Sequence, residues 1–158
     1  GADNAEPAGQ SALAGALLSY GSLSGQSSYV DAARAALAAM GTVAQRAPRF
    51  AGHALGVAEA FAAGPLEVAI VTTAASGLAG ELQESAASDG SAELIDVVAR
   101  SGSPGLVVAV GEPDRPGWPL LAERPVRDGR ATAYVCRGFT CTAPTTDPDA
   151  LAAQLSRP

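Results

Sequence analysis

Apolar residues recur along the first part of the chain at alternating steps of three and four. Leu13, Leu17, Tyr20 and Leu23, with Leu18 alongside, give residues 8–23 one helical stripe, and Gly21 and Gly25 mark its end. A second stripe runs through Val30, Ala33, Leu37, Met40 and Ala44, opened by the Ser-x-x-Asp cap signal Ser28-Tyr29-Val30-Asp31. After a break at Ala47-Pro48, Phe50, Ala54, Val57 and Phe61 repeat the spacing until Ala63-Gly64-Pro65 stops it. Three helices joined by short loops predict consecutive antiparallel hairpins.

Past Pro65 the period changes. Leu66-Glu67-Val68-Ala69-Ile70-Val71 is a compact β-branched run of strand length. Gly105-Leu106-Val107-Val108-Ala109-Val110-Gly111 is nearly all apolar, as expected of a strand covered on both faces. Between them, residues 77–100 carry helical patterns at Leu78 and Leu82, then at Leu94, Val97 and Val98. Strand, helix and strand in that order predict a right-handed crossover and parallel pairing. Residues 112–129 read as loop, with four Pro and the single Trp118. A third strand is predicted over Ala131-Thr132-Ala133-Tyr134-Val135-Cys136, and Asp147-Pro148-Asp149 caps a last helix running to Leu155. The expected fold is therefore mixed α/β. Antiparallel helical hairpins occupy residues 1–64, and a small, mainly parallel, three-stranded α/β unit occupies residues 65–158.

Composition narrows the function classes. The 158 residues are 47% hydrophobic but only 4% aromatic, so the core must be built from Ala, Leu and Val. A chain of this length buries roughly two-thirds of its unfolded surface. Ten basic residues, all Arg, against sixteen acidic ones leave a net charge of −6, which repels phosphate backbones and argues against nucleic acid as a partner. The Ala-rich run around Met40 is interrupted by Asp31 and Arg34 in helical phase, so no membrane span is expected. The opening Gly1-Ala2-Asp3-Asn4-Ala5-Glu6-Pro7 has no initiator Met and no charged-then-apolar leader, so the chain is expected to be a carboxy-terminal piece of a larger protein. Two Cys are too few for a stapled secreted scaffold, and cytoplasm is the expected compartment.

The closing stretch 133–147, Ala133-Tyr134-Val135-Cys136-Arg137-Gly138-Phe139-Thr140-Cys141 and on through Thr142-Ala143-Pro144-Thr145-Thr146-Asp147, resembles the end of a widespread family. These are the thioredoxin-domain-containing proteins that include bacterial YyaL and a mammalian spermatogenesis-associated protein. The opening Asp3-Asn4-Ala5-Glu6-Pro7-Ala8-Gly9-Gln10-Ser11-Ala12 is similar to the family's acidic, Pro- and Gly-containing loop leading through an amide and a Ser into a helix. Gln10 stands where an Asn is usual. Gly64-Pro65-Leu66-Glu67-Val68-Ala69-Ile70-Val71 looks like its strand-opening segment. The resemblance implies a parent with an amino-terminal thioredoxin-like domain and a toroid of paired helices like those of glycosidases and sugar epimerases. This chain would supply the last hairpins and the α/β appendage. It contains no Cys-x-x-Cys of its own.

Candidate chemistry lies in a few places. Asp3, Asn4, Glu6, Gln10 and Ser11 precede or open a helix, where carboxylates and hydroxyls cap backbone N–H groups. On the rim of a toroid the same groups bind sugar hydroxyls or perform acid–base steps. Cys136 and Cys141 would lie roughly 16 Å apart in an unbroken strand. Only a reversal at Arg137-Gly138-Phe139-Thr140 brings them within the ~7 Å that a disulfide requires. Two ordinary buried thiols are the leading reading, a disulfide or redox pair the second, and a metal site, which lacks further ligands, the last. His53 flanks the third stripe without a visible partner carboxylate and reads as a structural histidine. The stretches 72–77 and 102–105 match no phosphate-loop spacing and read as turns, and no cofactor is expected. Trp118 reads as an anchor pinning its long loop. Helices taken from a toroid leave apolar faces uncovered, so the expected partners are the missing upstream domains and, in isolation, a second copy of the chain.

Overall fold

The computed structural model describes residues 2–73, 89–138 and 140–156. The helical pattern around Leu78 and Leu82, residues 74–77 of the turn after the first strand, and Phe139 lie outside the described residues. The chain divides into two compact units, one formed by the residues up to Pro65 together with Pro104–Val107, the other by Leu66–Ser103 and Val108–Pro158.

The first unit holds helices α1 (Gly9–Ser24), α2 (Ser27–Ala38), α3 (Gly41–Arg46) and α4 (Gly52–Ala63), with a 3-10 turn at Pro48–Phe50. The second predicted helix is thus two. Met40 turns inward to pack with Ala8, Ala51 and Ala54, and Gly41, a poor helix-interior residue, follows it. The Ser28 signal is not used as a cap. Gln26 precedes α2 without a side-chain capping bond, and Asp31 pairs loosely at the surface with Arg34, 3.9 Å away.

Ala14, Leu18, Ala33, Val57 and Ala60 form the core of this unit. The face of α1 that is buried carries Ser11, Ala14, Leu18 and Gly21. At Gly21 a Cβ would sit 2.8 Å from Val30 Cγ2, so the close approach of α1 and α2 requires glycine there. Of the expected stripe, Leu18 joins this core and Leu17 packs against it, whereas Leu13 is 54% and Tyr20 51% exposed. Helix backbones approach most closely where side chains are smallest, and here that contact outweighed the bulkier row. Tyr20 instead meets Tyr29 edge-on, ring centroids 4.7 Å apart.

The second unit is built on a four-stranded mixed sheet in the order β2-β1-β3-β4, with β1 at Leu66–Val71, β2 at Leu106–Gly111, β3 at Thr132–Arg137 and β4 at Thr140–Cys141. This corrects the expected mainly parallel, three-stranded unit. β3 is antiparallel to β1, from Leu66 opposite Arg137 to Val71 opposite Thr132. The crossover rule governs only strands joined by a helix. β3 arrives instead from the loop-rich residues 112–131 and is free to return antiparallel. Gly138, at φ +54°, then reverses the chain into β4.

β1 is central and buried almost throughout. β2 lies at an edge and leaves Val108 36% exposed, so double coverage holds for β1 and not for β2. Helix α5 (Ser91–Ala99) packs on β1, α6 (Pro148–Leu155) packs on β3, and the two helices touch each other, burying Leu94, Val98, Leu151 and Leu155. Asp147 accepts the Asp149 N–H at 3.0 Å and opens α6, as its sequence indicates. The connection 112–131 is pinned by Leu120 and Leu121, both buried, and by the Tyr134 hydroxyl donating to Pro125 O at 2.6 Å. Trp118 is not the anchor. It is 42% exposed, with the Arg115 guanidinium 5.6 Å from its ring. Among the described residues, no helix is long and apolar enough to cross a membrane.

Candidate functional site

The amino-terminal polar cluster separates into a buried part and a solvated part. Neither α1 nor α4 has a capping side chain of its own, since Ala8 and Ala51 occupy the N-cap positions. Asp3 serves both helices. Its Oδ1 accepts the Ala8 N–H at 2.7 Å and the Ser11 hydroxyl at 2.5 Å, and its Oδ2 accepts the Ala54 N–H at 2.9 Å. Its own N–H donates to Phe50 O at 2.7 Å. Two helix amino termini therefore converge on one carboxylate that is only 4% exposed.

Burial alone would raise the Asp3 pKa. The Ser11 hydroxyl, the Ala54 and Ala8 N–H groups and the nearby His53 outweigh it and hold the group at about 2. Ser11 is wholly buried and committed to this contact. Gln10 is half-buried and donates to Ala36 O at 3.3 Å, while Asn4 and Glu6 stay exposed in the loop. The five candidates do not converge on a common binding point, and both oxygens of the central carboxylate are taken by the chain's own donors.

A groove of about 620 Å³ lies beside α1 and α4 in the same unit, walled by Gly15, Ala16 and Ser19 on one helix and by Gly52, His53 and Gly56 on the other, with Pro104 and Gly105 at its margin. It exists because these positions are small. A Cβ on Gly15 would touch Val57 Cγ2 at 3.3 Å and His53 Nε2 at 3.7 Å. His53 is exposed and is the titratable residue of the lining.

In the second unit, Cys136 and Cys141 stand opposite each other in the β3–β4 register and form a disulfide, Cα atoms 4.0 Å apart. The reading of two free thiols is corrected by the Gly138 reversal, which puts the two residues across a ladder instead of along one strand. They are unequal: Cys136 is 2% exposed, whereas Cys141 is exposed at the sheet edge. The Arg124 guanidinium lies against the buried sulfur, Nη2 3.3 Å from Cys136 Sγ, while Nη1 donates to Leu120 O. It also sits 5.8 Å from the Tyr134 ring centroid. Glu67, on β1, is directly opposite Cys136. Burial pushes the Glu67 carboxyl up, and the Arg124 charge draws it back only in part. Burial likewise lowers Arg124, with Glu67 and Tyr134 opposing.

Arg124 was invisible to sequence reading, because nothing in a loop twelve residues upstream of a cysteine announces such a contact. Asp89 was also missed. It is 5% exposed, accepts the Ser91 N–H at 3.0 Å at the start of α5, and accepts the Thr73 N–H at 2.9 Å and its hydroxyl at 3.1 Å. Burial raises its pKa, but these donors prevail and lower it. Among the described residues no three His, Cys, Asp or Glu side chains are grouped to hold a metal ion. No protein-family model, curated protein or solved structure matches this chain.

Proposed function

We propose that this chain is a non-catalytic docking piece, the carboxy-terminal region of a thioredoxin-domain family protein, whose helical unit completes a larger array of helices. The observation that carries the reading is α1. Its sixteen residues include no Asp, Glu, Lys or Arg, yet only one face is buried, leaving Leu13 and Tyr20 about half exposed. A helix apolar on nearly all sides belongs in an interior. Leu55, 44% exposed on α4, extends the mismatch.

The motifs behind the family resemblance support an architectural role. The opening motif supplies the shared cap of α1 and α4, and the closing one supplies the cystine hairpin and the cap of α6. The sugar-processing alternative has less support, since ligand binding by Asp3 would require breaking three internal hydrogen bonds. The natural occupants of the α1 face are upstream helices of the parent chain, with a second copy taking their place in isolation. A cytoplasmic setting belongs to the same proposal and would set the Cys136–Cys141 bond against a reducing thiol pool.

Light scattering at micromolar concentration tests the docking reading. The chain should self-associate, and Leu13→Arg with Tyr20→Arg should make it monomeric while its helical circular dichroism is kept. A chain that stays monomeric at that concentration and binds no hydrophobic dye would overturn it.

A further inference from the structure

We infer that Cys136–Cys141 is a thiol–disulfide exchange site whose partner is a dithiol, with Cys141 the attacked sulfur and Cys136 the leaving one. Three independent features assign these roles. Cys141 lies on a two-residue edge strand and is exposed, so an incoming thiolate can reach it, whereas Cys136 is buried. The leaving sulfur already has a cation beside it, Arg124 Nη2 at 3.3 Å. A guanidinium stays charged even when partly buried, and a thiolate next to it is a better leaving group. β3 and β4 pair only through Cys136 opposite Cys141 and Arg137 opposite Thr140, at the edge of the sheet, so opening the bond does not require the sheet to come apart.

The exchange balances without a metal or other cofactor. The partner's first thiolate attacks Cys141 Sγ, a mixed disulfide forms, the S–S bond breaks, and its electron pair leaves on Cys136 as a thiolate facing Arg124. The partner's second thiolate then attacks its own sulfur in the mixed disulfide and expels Cys141 as a thiolate. The protein gains two electrons, the partner becomes a disulfide, and Cys141 takes a proton from solvent. Glu67 faces Cys136 from β1 and shares Arg124 with it. Tyr134, on the same strand as Cys136, lies beneath the guanidinium. Arg124 is accordingly a positioning residue that acts through charge.

Two measurements on the full chain test this. In Cys141→Ser, the Cys136 thiol titrated by thiolate absorbance should ionise well below the ordinary value of about 8.5. Adding Arg124→Gln should return it to that value or above, and Arg124→Lys should restore part of the shift. With both cysteines present, Arg124→Gln should slow reduction by dithiothreitol about threefold to tenfold, and Cys136→Ser should form a stable mixed disulfide at Cys141 with glutathione disulfide. A Cys136 thiol titrating at or above its ordinary value with Arg124 intact overturns the inference. So does a reduction rate indifferent to Arg124. Neither result bears on whether the α1 face docks helices.

Discussion

The Asp3 carboxylate accepts the backbone N–H of Ala54 at 2.9 Å, across 51 residues of sequence. Its other oxygen accepts at Ala8 and Ser11, so removing the charge leaves donors at two helix ends unpaired at once. Asp3→Ala should destabilise the first unit by about 2–4 kcal/mol. Asp3→Asn, whose amide nitrogen cannot accept, should recover only part of that. Urea unfolding followed by circular dichroism measures both, and a loss under half a kcal/mol for Asp3→Ala would show that the cap matters little.

Acid sensitivity follows from the same group. Asp3 titrates at about 2 in the fold against an ordinary 3.8, so its stabilisation is complete above pH ~4 and disappears as pH falls through 2. Asp89, also lowered, acts in the same direction. Glu67 is raised and has the opposite sign: its ionisation opposes the fold at neutral pH, and protonation removes that opposition. Stability measured from pH 7 to pH 2 should fall along an acid limb. Asp3→Asn should flatten that limb, whereas Glu67→Gln should not.

Gly105 and Gly25 share a left-handed backbone, φ +69° and +68°, but not their surroundings. A Cβ on Gly25 would meet nothing within 4 Å, and one on Gly105 would lie 2.6 Å from the Ala60 Cβ. Gly25→Ala should therefore cost about 1 kcal/mol for the backbone alone. Gly105→Ala should cost about 2–4 kcal/mol, because the collision adds to it. Combining it with Ala60→Gly should recover the steric part. Equal costs at the two glycines would contradict the close approach.

Replacing both Cys136 and Cys141 by Ala removes a ring of a few residues. The stability of the second unit should fall by about 2 kcal/mol, while the first unit remains as before. Protection of β1 amides from hydrogen exchange provides the readout. Loss of sheet protection altogether would mean that the bond holds up far more than its hairpin.

Local signals carried much of this architecture. The 3.6-residue period located α1 and α4, the β-branched run located β1, and Asp147-Pro148-Asp149 located the start of α6. What escaped depended on partners distant in sequence. The apolar period of α1 does not say which of its rows meets a neighbour, and the row of Ala14, Leu18 and Gly21 prevailed because Ala14 and Gly21 let the neighbouring helix come close. The direction of β3 is not encoded in β3, since a strand entered from a long loop can pair either way. At the candidate sites, Asp3 and Ser11 were recognisable as capping residues, but a helix end 51 residues further on was not. Arg124 carried no signal at all, because its role is defined only by where the connection 112–131 is pinned.

The shared cap also bears on the lifetime of the folded molecule. Helices form from neighbours in sequence, whereas the Asp3 contact to Ala54 has to wait until the intervening chain has closed. Contacts that form after the folding barrier act on the rate of escape, not on the rate of arrival. That contact should therefore govern how long the helical unit survives once made, and hardly at all how fast it is made.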